Sequence, residues 1–302
     1  EIISADELGG SYTQANLSGV VDHVAEDDTH AIKLLRRFIE LLPKTTIENR
    51  PPFKEPEFDP NNILKLIPTD PRMPFDMHKL VRHLIDRDSF VEFQSGYGQS
   101  VMCSWTNIGG YSVACIANTG ILNSSASNKV CHFIQLCEQR NIPIVFFQNV
   151  TGFMVGKLEE QKGIIKHGAK IITAISTSNV PKITIIVGGS YGAGNYAMCG
   201  RSFNPSFLWT WPNAKISVMG ANQAAELLCS ISNKSKDIRL QNKQKIITQF
   251  ESQSKATYAT ARLWDDGIID PRNTRLILMQ ALSIINQKNS IARKPTKPIY
   301  RV

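Results

Sequence analysis

Four glycines in seven residues, Gly188-Gly189-Ser190-Tyr191-Gly192-Ala193-Gly194, follow directly on the apolar run Lys182–Val187, and this junction constrains the chain most. A short, continuously apolar, β-branched run reads as a buried strand. Glycines at its end permit positive φ and let another group come close to the backbone. The residues that follow open a short helix, whose first N–H groups have no acceptor within the helix. Such a turn can hold a negatively charged oxygen or a phosphate on main-chain amides. No Lys-Ser/Thr pair follows it, so it is not a Walker A loop, and it lacks the spacing and second-strand acid of a dinucleotide fingerprint. On this segment alone, a tight strand-to-helix packing turn is the competing reading.

A second junction has the same grammar. Ile144–Gln148 reads as a strand, Asn149-Val150-Thr151-Gly152-Phe153-Met154-Val155-Gly156 as its loop, and Gly163–Ser178 as the helix beyond. Two successive strand–loop–helix units with glycine-rich mouths suggest one shared pocket at the strand ends. Around them, Val101–Trp105, Tyr111–Ala117 and Lys182–Gly188 read as further strands. Asp27–Leu42, Met77–Ile85, Ala126–Arg140, Ala221–Ser232 and Thr274–Gln287 read as helices. This alternation argues for a layered α/β sheet. Pro43 closes the first helix, and Lys44–Pro74 carries seven prolines with little periodicity, which reads as a linker.

Composition removes several classes. The formal charge is +8, but the basic residues are scattered and no zinc-finger, homeodomain or RNP pattern occurs, so a nucleic-acid partner is not expected. The excess charge suits a solvated surface or an anionic small substrate. No apolar run reaches the roughly 18 residues of a membrane span, so no membrane role is expected. The six cysteines show no CxxC spacing and read as buried reduced thiols rather than disulfides or a metal site. His78 and His83 lack a third ligand nearby in sequence, and Asp265, Asp266 and Asp270 read as turn caps. No metal site is expected.

Long motifs then carry a resemblance. Between Asn141 and Gly220 the chain reads NIPIVFFQNVTGFMVG, GIIKHGAKIITA and VPKITIIVGGSYGAGNYAMCGRSFNPSFLWTWPNAKISVMG in order. Leu8-Gly9-Gly10, Ser18-Gly19 and Asp22 precede these motifs, and Ala261 through Pro271 (ARLWDDGIIDP) follow them. The whole resembles the carboxyltransferase β subunits of biotin-dependent acyl-CoA carboxylases, the methylcrotonoyl-CoA type more closely than the propionyl-CoA type. Gln14, Val130 and Asn222 depart from the His, Gly and Glu that this family usually carries there.

The resemblance implies a crotonase-like (ClpP/crotonase) ββα superhelix. In it, residues 75–302 would be a carboxyltransferase C domain, 44–74 a Pro-rich linker and 1–43 the tail of the N domain. It implies carboxyl transfer from carboxybiotin to an acyl-CoA, 3-methylcrotonoyl-CoA first. By position, the amides of Ala193 and Gly194 would stabilise charge on the biotin ureido oxygen. Gly152, Phe153, Gly189, Tyr191 and Gly192 would line the biotin pocket, and Gly9 and Gly10 would lie near the acyl-CoA end of the cleft. Biotin would arrive on an α subunit that also carries the biotin carboxylase, and other β subunits would complete a hexameric core. Location would be the mitochondrial matrix, or the cytoplasm of a bacterium. The N-terminal half of such a subunit is expected to be needed for the full reaction. A catalytically impaired structural subunit of a larger assembly is the alternative.

Overall fold

The segment Ile144–Phe147 is apolar at every position because alternate residues enter two different cores. Ile144 and Phe146 join one, and Val145 and Phe147 join the other. Continuous apolar strands of this kind are expected where helices cover both faces of a sheet. The computed structural model describes residues 2–41, 52–68, 75–230 and 236–288. Its elements in chain order begin with α1 (Ala5–Gly9), α2 (Asp28–Glu40), α3 (Met77–Arg82), β1 (Val91–Glu92), β2 (Val101–Ile108) and β3 (Tyr111–Asn118). Next come α4 (Ser124–Arg140), β4 (Ile144–Val150), α5 (Lys157–Gln161), α6 (Ile164–Thr177), β5 (Lys182–Tyr191) and α7 (Gly192–Ala197). The last are β6 (Phe207–Thr210), β7 (Lys215–Ser217), α8 (Ala221–Ser230), α9 (Lys236–Gln253), α10 (Ala256–Thr260) and α11 (Thr274–Lys288).

The strands form one mixed sheet in the order β1-β2-β3-β4-β5-β6, with β7 also paired to β5. β1–β3 pair antiparallel, while β3 through β6 run parallel. α4 and α6 bury Phe133, Ile134, Ile171 and Ile175 on one face. α3 and α11 bury Leu80, Val81, Leu278 and Leu282 on the other. The expected strands all occur and run past their expected ends, to Ile108, Asn118, Val150 and Tyr191. α4 starts at Ser124 rather than Ala126 because the Asn123 side chain accepts from the Ala126 amide, and it stops at Asn141 in the left-handed region.

Within the proline-rich stretch, a 3-10 helix spans Pro60–Leu66 and Ile63 is completely buried in the α3/α11 core. Residues 44–51 and 69–74 of that stretch lie outside the described ones. Five cysteines are buried and Cys229 is half-buried, none of them in a disulfide, and burial pushes the Cys103 thiol up to about 12. Asp265 accepts from the Gly267 amide and Asp270 from that of Arg272, so both cap turns as expected. No helix among the described residues is long and apolar enough to cross a membrane.

Glu92 on β1 joins three layers. Its carboxylate meets His78 Nε2 of α3 at 3.1 Å and lies 3.8 Å from Nζ of Lys129 on α4, whose side chain is wholly buried. The hydrogen bond to Glu92 raises the His78 pKa, overriding the effect of burial. A raised folded-state pKa means that His78 contributes stability fully below its ordinary value near 6.5, and loses it as pH rises through the raised value. The His78→Gln variant is therefore expected to lose stability at pH 6 and little at pH 8. Urea midpoints of both proteins at the two pH values measure this, and an equal loss at both would contradict it.

Candidate active site

The two glycine-rich junctions meet where the sheet register breaks. β4 and β5 pair regularly up to Gln148 with Ile186, and then resume at Val150 with Ser190. One residue on β4 therefore faces three on β5, and the excess is taken up at Gly188 and Gly189. Asn149 and Tyr191 fill the space that their side chains would need: a Cβ on Gly188 would overlap the Asn149 amide and one on Gly189 would come 2.8 Å from the Tyr191 ring, while Asn149 Oδ1 accepts from the Gly189 amide at 2.9 Å. Asn118 at the end of β3 holds Asn149 in turn, its Oδ1 accepting from the Asn149 amide at 2.8 Å and its Nδ2 donating to the Asn149 carbonyl. Bulges of this kind re-aim the chain and occur preferentially beside active sites.

Beyond the bulge, β5 passes from Tyr191 straight into α7. Gly192 has a φ of +51°, and a Cβ there would stand 2.8 Å from the Val218 carbonyl oxygen. No side chain caps this helix start. Gly194 is buried, and a Cβ on it would lie 2.6 Å from Val150 Cγ2 and 3.2 Å from Gly152 Cα. Its lack of a side chain is what lets the β4 loop close onto the turn. Gly152 itself has a φ of +134° with open space around it. Phe153 continues the loop, bridges to Leu122 and lays its ring on Gly168 of α6.

Phe153, Ala193, Tyr196, Ile172 and Phe203 thereby share one apolar cavity of about 450 Å³. A second cavity of about 740 Å³ lies on the other side of α7, lined by Ser190, Gly192, Ala193, Ser217 and Tyr258 among others. Ala193 stands on the ridge between them and is exposed. Among the described residues, Glu160 is the one carboxylate lining the first cavity and no carboxylate lines the second, although Arg201 does, paired with Asp266 at 2.6 Å. Burial raises the Tyr191 phenol pKa, so that ring stays neutral. The turn therefore offers amide donors and apolar walls rather than an acid–base pair.

Of the residues singled out from the sequence, Gly152, Phe153, Gly189, Tyr191, Gly192, Ala193 and Gly194 all fall at this junction. Gly9 and Gly10 do not. They end α1, and Gly10 is held there because a Cβ would come 2.5 Å from the Asp6 carbonyl oxygen. They line neither cavity. Sequence reasoning missed the polar groups under the turn, Gln148, Ser190 and Asn195. The available signal was a glutamine ending an otherwise apolar strand. Among the described residues, no three His, Cys, Asp or Glu side chains could hold a metal ion.

The model of the carboxyl transferase domain matches residues 1–298. The chain belongs to the carboxyl transferase domain family. It is 43% identical, over 94% of its length, to the biotin-dependent 3-methylcrotonyl-coenzyme A carboxylase beta1 subunit of Mycobacterium tuberculosis, covering 56% of that protein. It is 45% identical, again over 94% of its length, to the mitochondrial methylcrotonoyl-CoA carboxylase beta chain of Dictyostelium discoideum, covering 50% of it. The chain thus spans about half the length of the relatives it matches. Among solved structures, the beta subunit of Pseudomonas aeruginosa geranyl-CoA carboxylase matches the whole chain at 36% identity and a TM-score of 0.77, with 59% of that subunit covered. The transcarboxylase 12S hexamer with methylmalonyl-coenzyme A bound matches the whole chain at 30% identity and a TM-score of 0.84, with 59% of it covered. The fold of this carboxyl transferase domain is accordingly the crotonase-like ββα architecture that the resemblance implied.

Proposed function

We propose that this chain is the C-terminal portion of a carboxyltransferase β subunit, moving a carboxyl group from carboxybiotin to an acyl-CoA. The observation that carries the reading is the meeting of Phe153 and Ala193 on one apolar cavity, with the uncapped turn Tyr191–Gly194 on its rim. Those residues suit biotin: apolar walls for its rings, amide donors for its ureido oxygen, and glycines where side chains would intrude. Carboxybiotin would supply an activated carboxyl group. The chain's own contribution is to place the amides of Ala193 and Gly194 where negative charge develops, and such a donor is typically worth about 3 kcal/mol in the transition state. Gly152, Phe153, Gly189, Tyr191 and Gly192 shape the pocket, and Gly9 and Gly10 belong with the acyl-CoA end.

The names of the relatives favour 3-methylcrotonoyl-CoA as the acyl substrate, with a biotin-bearing α subunit as partner. The hexamer named for the 12S structure favours a hexameric β core here too. Residues 75–302 serve as the C domain, 1–43 as the tail of the N domain and 44–74 as the linker between them. The Dictyostelium relative is named as mitochondrial, so the matrix is the first location to test, with a bacterial cytoplasm the alternative.

The reaction is tested in reverse. The chain is mixed with biotin and 3-methylglutaconyl-CoA, the carboxylated ester, with and without the N-terminal half of a related β subunit, and decarboxylation is followed. Decarboxylation that needs both biotin and the added half is the expected result. Its absence from folded protein in every combination would leave a structural subunit instead.

A further inference from the structure

Beneath the glycine turn lies a chain of buried polar groups that the proposed chemistry does not itself use. Ser190, completely buried, donates from Oγ to Gln148 Oε1 at 2.7 Å. Asn195, one residue past Gly194, donates from Nδ2 back to Ser190 Oγ at 2.7 Å. Gln148, also completely buried, donates from Nε2 to the Met198 carbonyl at 2.6 Å, just beyond α7. The Asn195 carbonyl accepts from the Gly200 amide at 2.8 Å, and a Cβ on Gly200 would overlap the Asn195 side-chain amide. The chain therefore joins the β4–β5 pair to Asn195 within α7 and to Met198 just beyond it.

α7 is six residues long, has no side-chain cap and begins with glycines. A helix so short does not hold itself in water, since nucleation costs more than a single turn returns. Something must hold its orientation, and the ties to the sheet include the Gly194 contact with Val150 and Gly152, the buried Ala197, the Thr184 hydroxyl donating to the Cys199 carbonyl just beyond α7, and this polar chain. We infer that Gln148, Ser190 and Asn195 form a buried clamp that sets the direction of the Ala193 and Gly194 amides, making them positioning residues for carboxyl transfer. The inference rests on the proposed function for its catalytic part and on the hydrogen bonds alone for its structural part. The clamp is an amide–hydroxyl–amide chain with fixed donor order. Removing its middle member leaves an unmet acceptor at Gln148 and an unmet donor at Asn195, both in or near the core.

Two measurements test this. The first is amide hydrogen exchange on the full chain. Ser190→Ala and Asn195→Ala are each expected to raise exchange across Tyr191–Tyr196 by about tenfold, and the double variant by no more than either alone. Ser89→Ala serves as control, because it removes an equally buried hydroxyl pair, Ser89–Thr106 at 2.6 Å, far from the turn in sequence. It is expected to leave Tyr191–Tyr196 unchanged. Exchange that stays at the wild-type level in both clamp variants, or rises equally in the control, overturns the clamp. Should Ser190→Ala fail to fold, the half-buried Asn195 carries the same comparison.

The second measurement is biotin-dependent decarboxylation in the combination with the added N-terminal half. The clamp variants are expected to lower kcat about tenfold with the KM for the CoA ester unchanged, while Ser89→Ala lowers neither. A wild-type protein that turns over while the clamp variants keep its kcat overturns the positioning role. A wild-type protein that does not turn over counts against the carboxyltransferase reading, and the exchange data still decide whether the clamp exists.

Discussion

Gly194→Val should abolish carboxyl transfer, by a factor of about 10² to 10³, while leaving the sheet folded. The position is buried, and any Cβ there would meet Val150 Cγ2 at 2.6 Å and Gly152 Cα at 3.2 Å. A valine must therefore push the β4 loop and the α7 turn apart, separating Phe153 from Ala193 and opening the cavity they share. Ala193→Gly makes the opposite case. Its side chain is exposed and its amide survives substitution, so its rate should stay within about threefold of wild type. Side by side, the variants separate a site built from backbone from one built from side chains. If Ala193→Gly were the damaging change and Gly194→Val the mild one, the amide-based reading would be wrong.

The largest effect on stability is expected far from that turn. Arg275 on α11 is nearly fully buried and donates to the Leu84 carbonyl at 2.6 Å, the Lys54 carbonyl at 2.9 Å and Asp86 Oδ1 at 2.8 Å. The two Asp86 oxygens also accept from the amides of Gly109 and Gly110, each at 2.8 Å. One ion pair thus ties α11, the segments on either side of α3 and the β2–β3 hairpin together. Arg275→Met leaves the buried Asp86 charge without its cation, and losing one partner of such a pair costs about 3–5 kcal/mol. The loss should appear as a shift of the urea midpoint, and the Asp86→Asn/Arg275→Met double variant should be less damaged than the sum of the two singles. A loss below about 1 kcal/mol in Arg275→Met would show that the pair contributes little.

What could be read from the sequence follows from where the information is local. β2 through β5 and the helices α4 and α6 announce themselves because each residue's burial depends on its immediate neighbours in the chain. The glycine turns were legible for the same reason, since a backbone at φ +134° at Gly152 or +51° at Gly192 selects glycine directly. The Asp86–Arg275 pair spans 189 positions, and nothing near either residue marks the other. Ile63 was hidden in a different way. In a proline-rich stretch without periodicity, nothing in the apolar cluster Ile63-Leu64-Lys65-Leu66-Ile67 marks Ile63 as the residue docked in the core. Ser190 and Asn195 carry no local mark in the sequence; beyond the bulge at Gly188–Gly189, Ser190 turns inward to meet Gln148 and Asn195 reaches back to Ser190. Gly9 and Gly10 were singled out by the resemblance and not by any local pattern, and they lie at the end of α1, away from both cavities at the turn.

The most direct measurement is a structure of the chain, assembled with the N-terminal half of a related β subunit, with biotin bound. The account predicts the ureido oxygen within hydrogen-bonding distance of the amide of Ala193 or Gly194, with the rings against Phe153. Biotin bound elsewhere, with those two amides facing bulk water, would contradict it.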